Sequence, residues 1–140
     1  MVLVMRLRHG RLLTKAMPGA VFMHGEDEGE HRQWVLDEFR AKRLPVVVTT
    51  LGNEGLDIPT LDRVVIAAGG ESSLLSFQRM RGMTPAPGKT HCTVLDFDDR
   101  TRYMNRHSLA RLTAYRSEAA FQVEELEVND VAAMGRGTSS

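Results

Sequence analysis

The sequence contains a single cysteine, and this scarcity limits the chemistry open to the chain. Cys92 has no second cysteine among the 140 residues, which excludes an internal disulfide and a cysteine-based zinc cluster. The five histidines show no paired metal-ligand spacing, so we expect no metal bound by this chain alone. Cys92 falls in an apolar segment, where we expect a small buried side chain without redox chemistry.

Long apolar runs and an excess of one charge are also missing. No run approaches the roughly 18 residues of a membrane-spanning helix, so no membrane partner is expected. The first eight residues are too short and too interrupted for a signal peptide, which predicts a cytoplasmic protein (nucleoid or host-cell interior included) that is not secreted. The 18 basic and 18 acidic residues cancel. This balance predicts weak independent binding to nucleic acid, because nonspecific affinity comes mostly from phosphate neutralisation.

Short apolar segments alternate with amphipathic ones along the chain. We predict strands at 2–7, 20–23, 46–49, 63–67, 90–96 and 121–128, and helices at 9–16, 30–41, 72–82 and 105–117. Several strand segments are apolar on both faces, which indicates an α/β fold with a mainly parallel sheet flanked by helices on both faces. The length suits one domain, at 2–128, followed by a flexible tail at 129–140.

Two of the predicted helices carry an apolar stripe that should face the core. The residues expected to be buried are Trp34, Val35, Leu36 and Phe39 in the first, and Leu109, Leu112 and Tyr115 in the second.

The segment from Thr49 to Pro59, TTLGNEGLDIP, begins where a predicted strand ends. In parallel α/β sheets, ligands bind beyond the carboxyl ends of the strands, and His24-Gly25 follows another strand in the same way. Threonine hydroxyls and glycine amides at such a position can cradle phosphates, and Asp57 is placed to accept hydrogen bonds from a sugar hydroxyl. On these residues alone, a turn with a conformational glycine and a capping aspartate is the alternative.

A second polar segment, Gln78-Arg79-Met80-Arg81, ends the helix predicted at 72–82. The fixed fork of arginine suits phosphate oxygens, and a guanidinium near a γ-phosphate can stabilise the transition state of phosphoryl transfer. Taken alone, the two arginines also fit solvated charges near the negative end of a helix.

Two short segments copy fragments of nucleotide-binding motifs without their context. Gly88-Lys89-Thr90 has the end of a Walker A loop, but Met83 stands where the first glycine belongs and a predicted strand follows. Leu36-Asp37-Glu38 has the end of a Walker B strand, but it falls in a predicted amphipathic helix. We interpret both as structural segments.

The run Asp96-Phe97-Asp98-Asp99 offers a different chemistry. Its carboxylates follow a predicted strand, where Asp96 and Asp98 could bind a metal or imitate a phosphatase nucleophile. Arg100 follows, although the phosphatase pattern requires small residues there. A solvated loop at the strand end is the alternative.

The order of these segments resembles the C-terminal RecA-like domain of superfamily 2 DNA helicases over residues 2–128. The group it resembles includes the repair helicase of the transcription factor H complex, restriction-enzyme motor subunits and phage branch-migration helicases. The matching segments are 2–10 as motif IV, His24-Gly25 with Phe39-Arg40, Thr49 to Pro59 as motif V, Gln78 onward as motif VI, and a tail of 94–99, Arg106-His107-Ser108, Arg111 and Tyr115.

This resemblance implies roles for individual residues. It places His24, Gly25, Thr49 and Thr50 at the nucleic-acid backbone, and Gly55, Asp57 and Gln78 at the nucleotide, with Asp57 near the ribose. It gives Arg79 and Arg81 the catalytic role at the ATP cleft. The family's arginine finger lies four residues after the motif VI glutamine and follows a glycine, whereas here Gly82 follows Arg81. Either Arg81 serves as the finger or the finger is lost.

The resemblance also implies a partner. No first RecA-like domain with its phosphate loop and magnesium carboxylates is present, so ATP and Mg²⁺ would be shared with such a domain in cis or in trans. The chain would then be a fragment, a separate domain or a split-gene product that hydrolyses no ATP alone. DNA is the expected nucleic acid and RNA the alternative. A non-catalytic module that binds nucleic acid or a helicase subunit is the second hypothesis, and a phosphohydrolase using Asp96 and Asp98 the third.

Overall fold

A five-stranded parallel sheet forms the centre of the molecule. The computed structural model describes residues 1–54, 56–68 and 85–130. The strands run in the order β2-β3-β1-β4-β5, with every neighbouring pair parallel. Their bounds are β1 Val2–Leu3, β2 Ala20–Met23, β3 Val46–Thr49, β4 Arg63–Ile66 and β5 Thr93–Asp96. The predicted α/β fold with a parallel sheet is confirmed.

Three α-helices have both ends within the described residues: α1 Leu7–Ala16, α2 Gly29–Arg40 and α3 Asn105–Ser117. The side chains of α1 pack with Val2, Val4 and Val48, whereas Val35 and Leu36 of α2 belong to the larger core on the other face. Helices therefore cover both faces, as the strands that are apolar on both sides require. No helix in the described ranges is long and apolar enough to cross a bilayer.

A glycine sets the distance between α1 and the sheet. A Cβ atom on Gly10 would lie 2.3 Å from the ring of Phe22 on β2, well inside van der Waals contact. Thr14 donates from its hydroxyl to the Gly10 carbonyl at 2.7 Å. The absence of a side chain at Gly10 therefore lets the Phe22 ring fill the space under the helix.

Several predicted details differ from the structure. The strand predicted at 2–7 is limited to β1, because helix α1 already begins at Leu7. The strand predicted at 121–128 is wrong: in the described part of the chain 121–127 pairs with no strand and 128–130 is helical, although the Phe121 side chain packs on the core. The helix predicted at 72–82, with Gln78, Arg79 and Arg81, lies outside the described residues, as do Gly55 and 131–140.

The buried faces of two helices were also only partly predicted. Trp34 is 51% exposed, because α2 turns Val35 and Leu36 toward the sheet instead. On α3, Leu109 is 53% exposed, whereas Ser108 and Arg111 are buried. The burial of Arg111 is possible because its charge is paired, which the apolar pattern of the sequence does not reveal.

Candidate nucleotide and nucleic-acid site

The last residues of all five strands lie in one row across the sheet. Met23 pairs with Thr49, Thr49 with Leu3, Leu3 with Ile66, and Ile66 with Asp96. The segments that follow therefore leave the sheet at the same edge. His24-Gly25 and Thr50 emerge next to each other there, because β2 and β3 are neighbours. This is the edge at which parallel α/β sheets bind ligands.

The loop after β3 is anchored by its own apolar residues. Leu51, Ile58 and Leu61 are 4%, 0% and 2% exposed and belong to the core. The Thr49 hydroxyl accepts a hydrogen bond from the Leu51 amide at 3.0 Å and starts the 3-10 turn Leu51–Asn53. Since Thr49 is itself 0% exposed, its side chain shapes the loop and offers no surface to nucleic acid, whereas Thr50 is partly exposed.

Helix α2 holds the second half of this loop. Arg40, near the end of the helix, donates from Nη2 and Nε to the backbone carbonyl of Asp57, at 2.7 and 3.1 Å. The Asp37 carboxylate, 3.1 Å from Nη1, steadies the guanidinium. The carbonyl of Asp57 is thereby fixed, and residue 57 as a whole is exposed at the loop surface. Sequence reasoning matched Arg40 to a family passage but gave no hint of this contact.

A tight turn follows β2. The Asp27 carboxylate accepts from the His24 amide at 2.8 Å and lies 3.2 Å from His24 Nε2. The ring of His24 stands 4.9 Å from that of Phe22. Its Nδ1 atom is buried and has no hydrogen-bond partner within the described residues. The turn thus fixes the His24 ring and leaves Gly25 exposed. A Cβ atom on Gly25 would lie 3.6 Å from the side chain of Leu51.

A cleft of about 200 Å³ separates α2 from the loop after β3. Arg32 and Gln33 line one wall, and Leu51, Glu54 and Leu56 line the other. Arg32 Nη1 lies 3.9 Å from a carboxylate oxygen of Glu54, across the opening. The sequence analysis does not predict Arg32 and Gln33 as polar residues beside the candidate site. The one signal for such a role is their position on the charged side of a predicted helix.

The carboxylate of Asp96 at the end of β5 is engaged in structural contacts. It accepts from Arg111 Nε at 2.7 Å and from the Tyr115 hydroxyl at 2.7 Å. Burial and the hydrogen bond to Asp96 raise the pKa of Tyr115 well above its ordinary value. Asp98 pairs with Arg100 at 2.9 Å instead. These contacts join β5 to α3 and engage both carboxylate oxygens of Asp96, whereas the phosphohydrolase hypothesis needs an oxygen that is free to attack phosphorus.

The two motif fragments have structural roles as well. Lys89 donates from Nζ to the Pro59 carbonyl at 3.0 Å, and strand β5 follows the segment instead of a helix. Asp37 and Glu38 lie on α2 and pair with Arg40 and Arg43. Among the described residues, no group of three histidine, cysteine, aspartate or glutamate side chains is arranged to hold a metal ion. Burial raises the pKa of the Cys92 thiol, which fits a packing role.

The parallel sheet, its two helical layers and the loops at one edge define an α/β domain of the RecA-like class. The sequence matches the family described as Helicase conserved C-terminal domain over residues 5–82, which is more than half of the chain. The chain belongs to this family.

Two curated relatives and one solved structure illustrate the similarity. A Schizosaccharomyces pombe protein provisionally named mitochondrial ATP-dependent helicase irc3 is 36% identical over 87 residues, 61% of this chain and 14% of that protein. A Halobacterium salinarum protein provisionally named DNA 3'-5' helicase Rad25 is 32% identical over 89 residues, 63% of this chain and 15% of that protein. The chain therefore spans less than a fifth of either relative's length.

The solved structure is that of Saccharomyces cerevisiae Dbp5 bound to RNA and ADP BeF3. It superimposes with a TM-score of 0.65 at 20% identity, covering 96% of this chain and 36% of that one. At this identity the match establishes the shared fold, and it confirms the RecA-like assignment made from the sequence.

Proposed function

We propose that the chain is the second RecA-like domain of an ATP-dependent DNA helicase or translocase. It contributes motifs IV, V and VI to the ATP cleft and to nucleic-acid binding, and it is inactive without a first RecA-like domain. The observation that carries this proposal is the single row formed by the strand ends, since it brings the His24 turn and the loop from Thr49 to Pro59 to one edge.

The two parts of that edge have different tasks in the proposal. Gly25 and Thr50, which are accessible at the ends of β2 and β3, contact the nucleic-acid backbone. Thr49 and His24 hold these two turns in place. Asp57 faces the ribose of ATP, and its backbone is kept in position by Arg40.

The first RecA-like domain supplies what this chain does not. In this architecture ATP binds between two domains, and the first provides the phosphate loop and the carboxylates for Mg²⁺. Gly55, Gln78, Arg79 and Arg81 would complete the cleft from this side. ATP bound there supplies the phosphoryl group that is transferred to water, and the residues of this chain bind and orient it.

DNA is our proposed substrate and RNA the competing one. The Rad25 relative is named for DNA, whereas Dbp5 was solved with RNA. A non-catalytic module that binds nucleic acid or a helicase subunit is the alternative function. It would keep the edge with Thr50 and Gly25 but show no ATP turnover with any first domain.

The test measures binding of labelled single-stranded DNA and RNA of equal sequence by fluorescence anisotropy, at roughly 50 mM salt. Thr49→Val keeps the shape of the side chain but leaves the buried Leu51 amide unpaired, so we expect binding to weaken about tenfold. Thr50→Val should weaken it about threefold, by the loss of one solvent-exposed hydrogen bond to the nucleic-acid backbone.

Thr113→Val is the matched control, because the Thr113 hydroxyl is exposed on α3 and donates to the carbonyl of Leu109 on the same helix. It should bind both strands like the unmodified chain. Unchanged affinity of both Thr49→Val and Thr50→Val would contradict the proposed nucleic-acid edge. Tighter binding of RNA than of DNA would move the proposal to an RNA helicase.

A further inference from the structure

A second cleft, of about 190 Å³, opens at the edge of the sheet opposite the site described above. It lies at the amino ends of β4 and β5 and beside the connection from α2 to β3. We call it the amino-end cleft, and its principal lining residues are Lys42, Thr60, Asp62, Arg63, Lys89 and His91. No role in the proposed motor involves this edge.

The amino-end cleft carries an excess of positive charge. Three cationic side chains, those of Lys42, Arg63 and Lys89, share it with the carboxylate of Asp62. Lys42 Nζ lies 3.7 Å from that carboxylate, and both side chains are more than half exposed. The guanidinium of Arg63 has no ion pair with any residue of the described ranges. The lining of the cleft thus has more basic than acidic side chains in a chain of zero formal net charge, and such a surface attracts anions.

The backbone around the cleft is unusual at two points. Lys42 has φ 59°, and in the described part of the chain it is the one residue other than glycine with a positive φ. Glycine is the residue that accepts this conformation without strain after a helix. Gly88, which also lines the cleft, has φ 75° and open space where a Cβ would be. A lysine of the cleft lining is therefore held in a backbone conformation that glycine would adopt without strain.

The groups in the cleft suit phosphate oxygens. The fork of Arg63 and the ammonium of Lys89, fixed by its bond to the Pro59 carbonyl, are the donor types that bind phosphate. Thr60 adds a hydroxyl. The volume is smaller than that of pockets for drug-sized ligands. We propose that the amino-end cleft binds a small phosphate compound. This site is separate from the sheet edge that holds the His24 turn and the loop from Thr49 to Pro59.

Calorimetric titration of the 140-residue chain with inorganic diphosphate tests this proposal. Saturable binding is expected, and Arg63→Gln should weaken it about tenfold by removing a charged hydrogen-bond donor. Lys42→Gly should weaken it similarly. Because glycine relieves the positive φ, that variant should melt at the same temperature as the unmodified chain or higher, so the loss of binding is not a loss of folding.

Arg43→Gln is the control, since it makes the same change of charge next to Lys42 but outside the cleft. It should leave the diphosphate affinity unchanged. Absence of saturable binding, or equal affinities for unmodified chain, Lys42→Gly and Arg63→Gln, would overturn the proposal. A short single-stranded oligonucleotide that binds through Lys42 and Arg63, with no binding of diphosphate, would also overturn it, because the phosphate source would then be nucleic acid.

Thr49→Val and Thr50→Val should bind diphosphate normally, which separates this test from that of the proposed function.

Discussion

Arg40 holds the backbone of Asp57 in place, with two guanidinium nitrogens at 2.7 and 3.1 Å from its carbonyl oxygen. The two residues are 17 positions apart, one near the end of α2 and the other in the loop after β3. The contact ties the helix that follows the His24 turn to the loop proposed to meet the ribose. Both parts of the candidate site are therefore fixed to one rigid element.

Replacing Arg40 by alanine should loosen this loop. We expect faster amide hydrogen exchange in a peptide spanning 51–59, and a loss of about 1 kcal/mol in unfolding free energy, because the contact is partly exposed. Arg43→Ala is the control, since Arg43 pairs with Glu38 and does not contact the loop. Equal exchange of the 51–59 peptide in both variants would show that Arg40 does not hold the loop.

Gly10→Ala should destabilise the packing of α1 on β2. The new methyl group would meet the Phe22 ring at 2.3 Å, so the ring must move, and we expect a cost of about 1–2 kcal/mol in urea unfolding. Gly29→Ala is the matched change, because a Cβ there meets nothing within 4 Å and alanine favours the helix by up to about 1 kcal/mol. If Phe22→Leu does not restore stability to Gly10→Ala, the clash is not the cause.

Removing Arg111 should leave the Asp96 carboxylate without its cation. The Arg111 side chain is 3% exposed and that of Asp96 14%, so we expect Arg111→Met to cost about 3 kcal/mol. Arg116→Met lies on the same helix, where Arg116 pairs with Glu125 in solvent, and it should cost less than about 1 kcal/mol. Similar losses for the two variants would contradict a structural role for the buried pair.

Tyr115 should make stability fall at alkaline pH. Its pKa is raised in the folded chain above the ordinary value of 10, so above about pH 10 the unfolded chain loses the phenolic proton first. The stabilising contribution is complete below pH 10 and declines as pH rises toward the folded pKa. Tyr115→Phe should therefore flatten the decline in unfolding free energy between about pH 9.5 and 11. An equally steep decline in both proteins would show that other groups cause it.

The sequence predicted the framework better than the contacts between its parts. Strands 20–23 and 46–49 and the helix at 105–117 are predicted to the residue. The two strands are local apolar runs, and the helix is a run without glycine or proline. The buried face of α3 is only partly predicted, because Arg111 is buried by an ion pair with a residue 15 positions earlier, which leaves no periodic signal.

The position of the candidate site is also predicted better than its contacts. The general rule for parallel strands predicts the sheet edge at which the site lies, and the structure places the His24 turn and the Thr49 loop side by side there. The full burial of Thr49 depends on neighbours from β1 and β2, and no property of its own segment reveals it. The hydrogen bonds from Arg40 to the Asp57 carbonyl are likewise not predicted, because they join residues from two distant segments.

ATP hydrolysis is the measurement that tests the half-motor proposal most directly. The 140-residue chain is assayed with ATP, Mg²⁺ and single-stranded DNA, alone and fused behind a first RecA-like domain that carries a phosphate loop and the magnesium carboxylates. We predict no turnover by the chain alone, and DNA-stimulated turnover by the fusion that is lost in Arg79→Ala and, if Arg81 is the finger, in Arg81→Ala. Robust turnover by the chain alone, or a fusion whose activity survives both substitutions, would contradict the account.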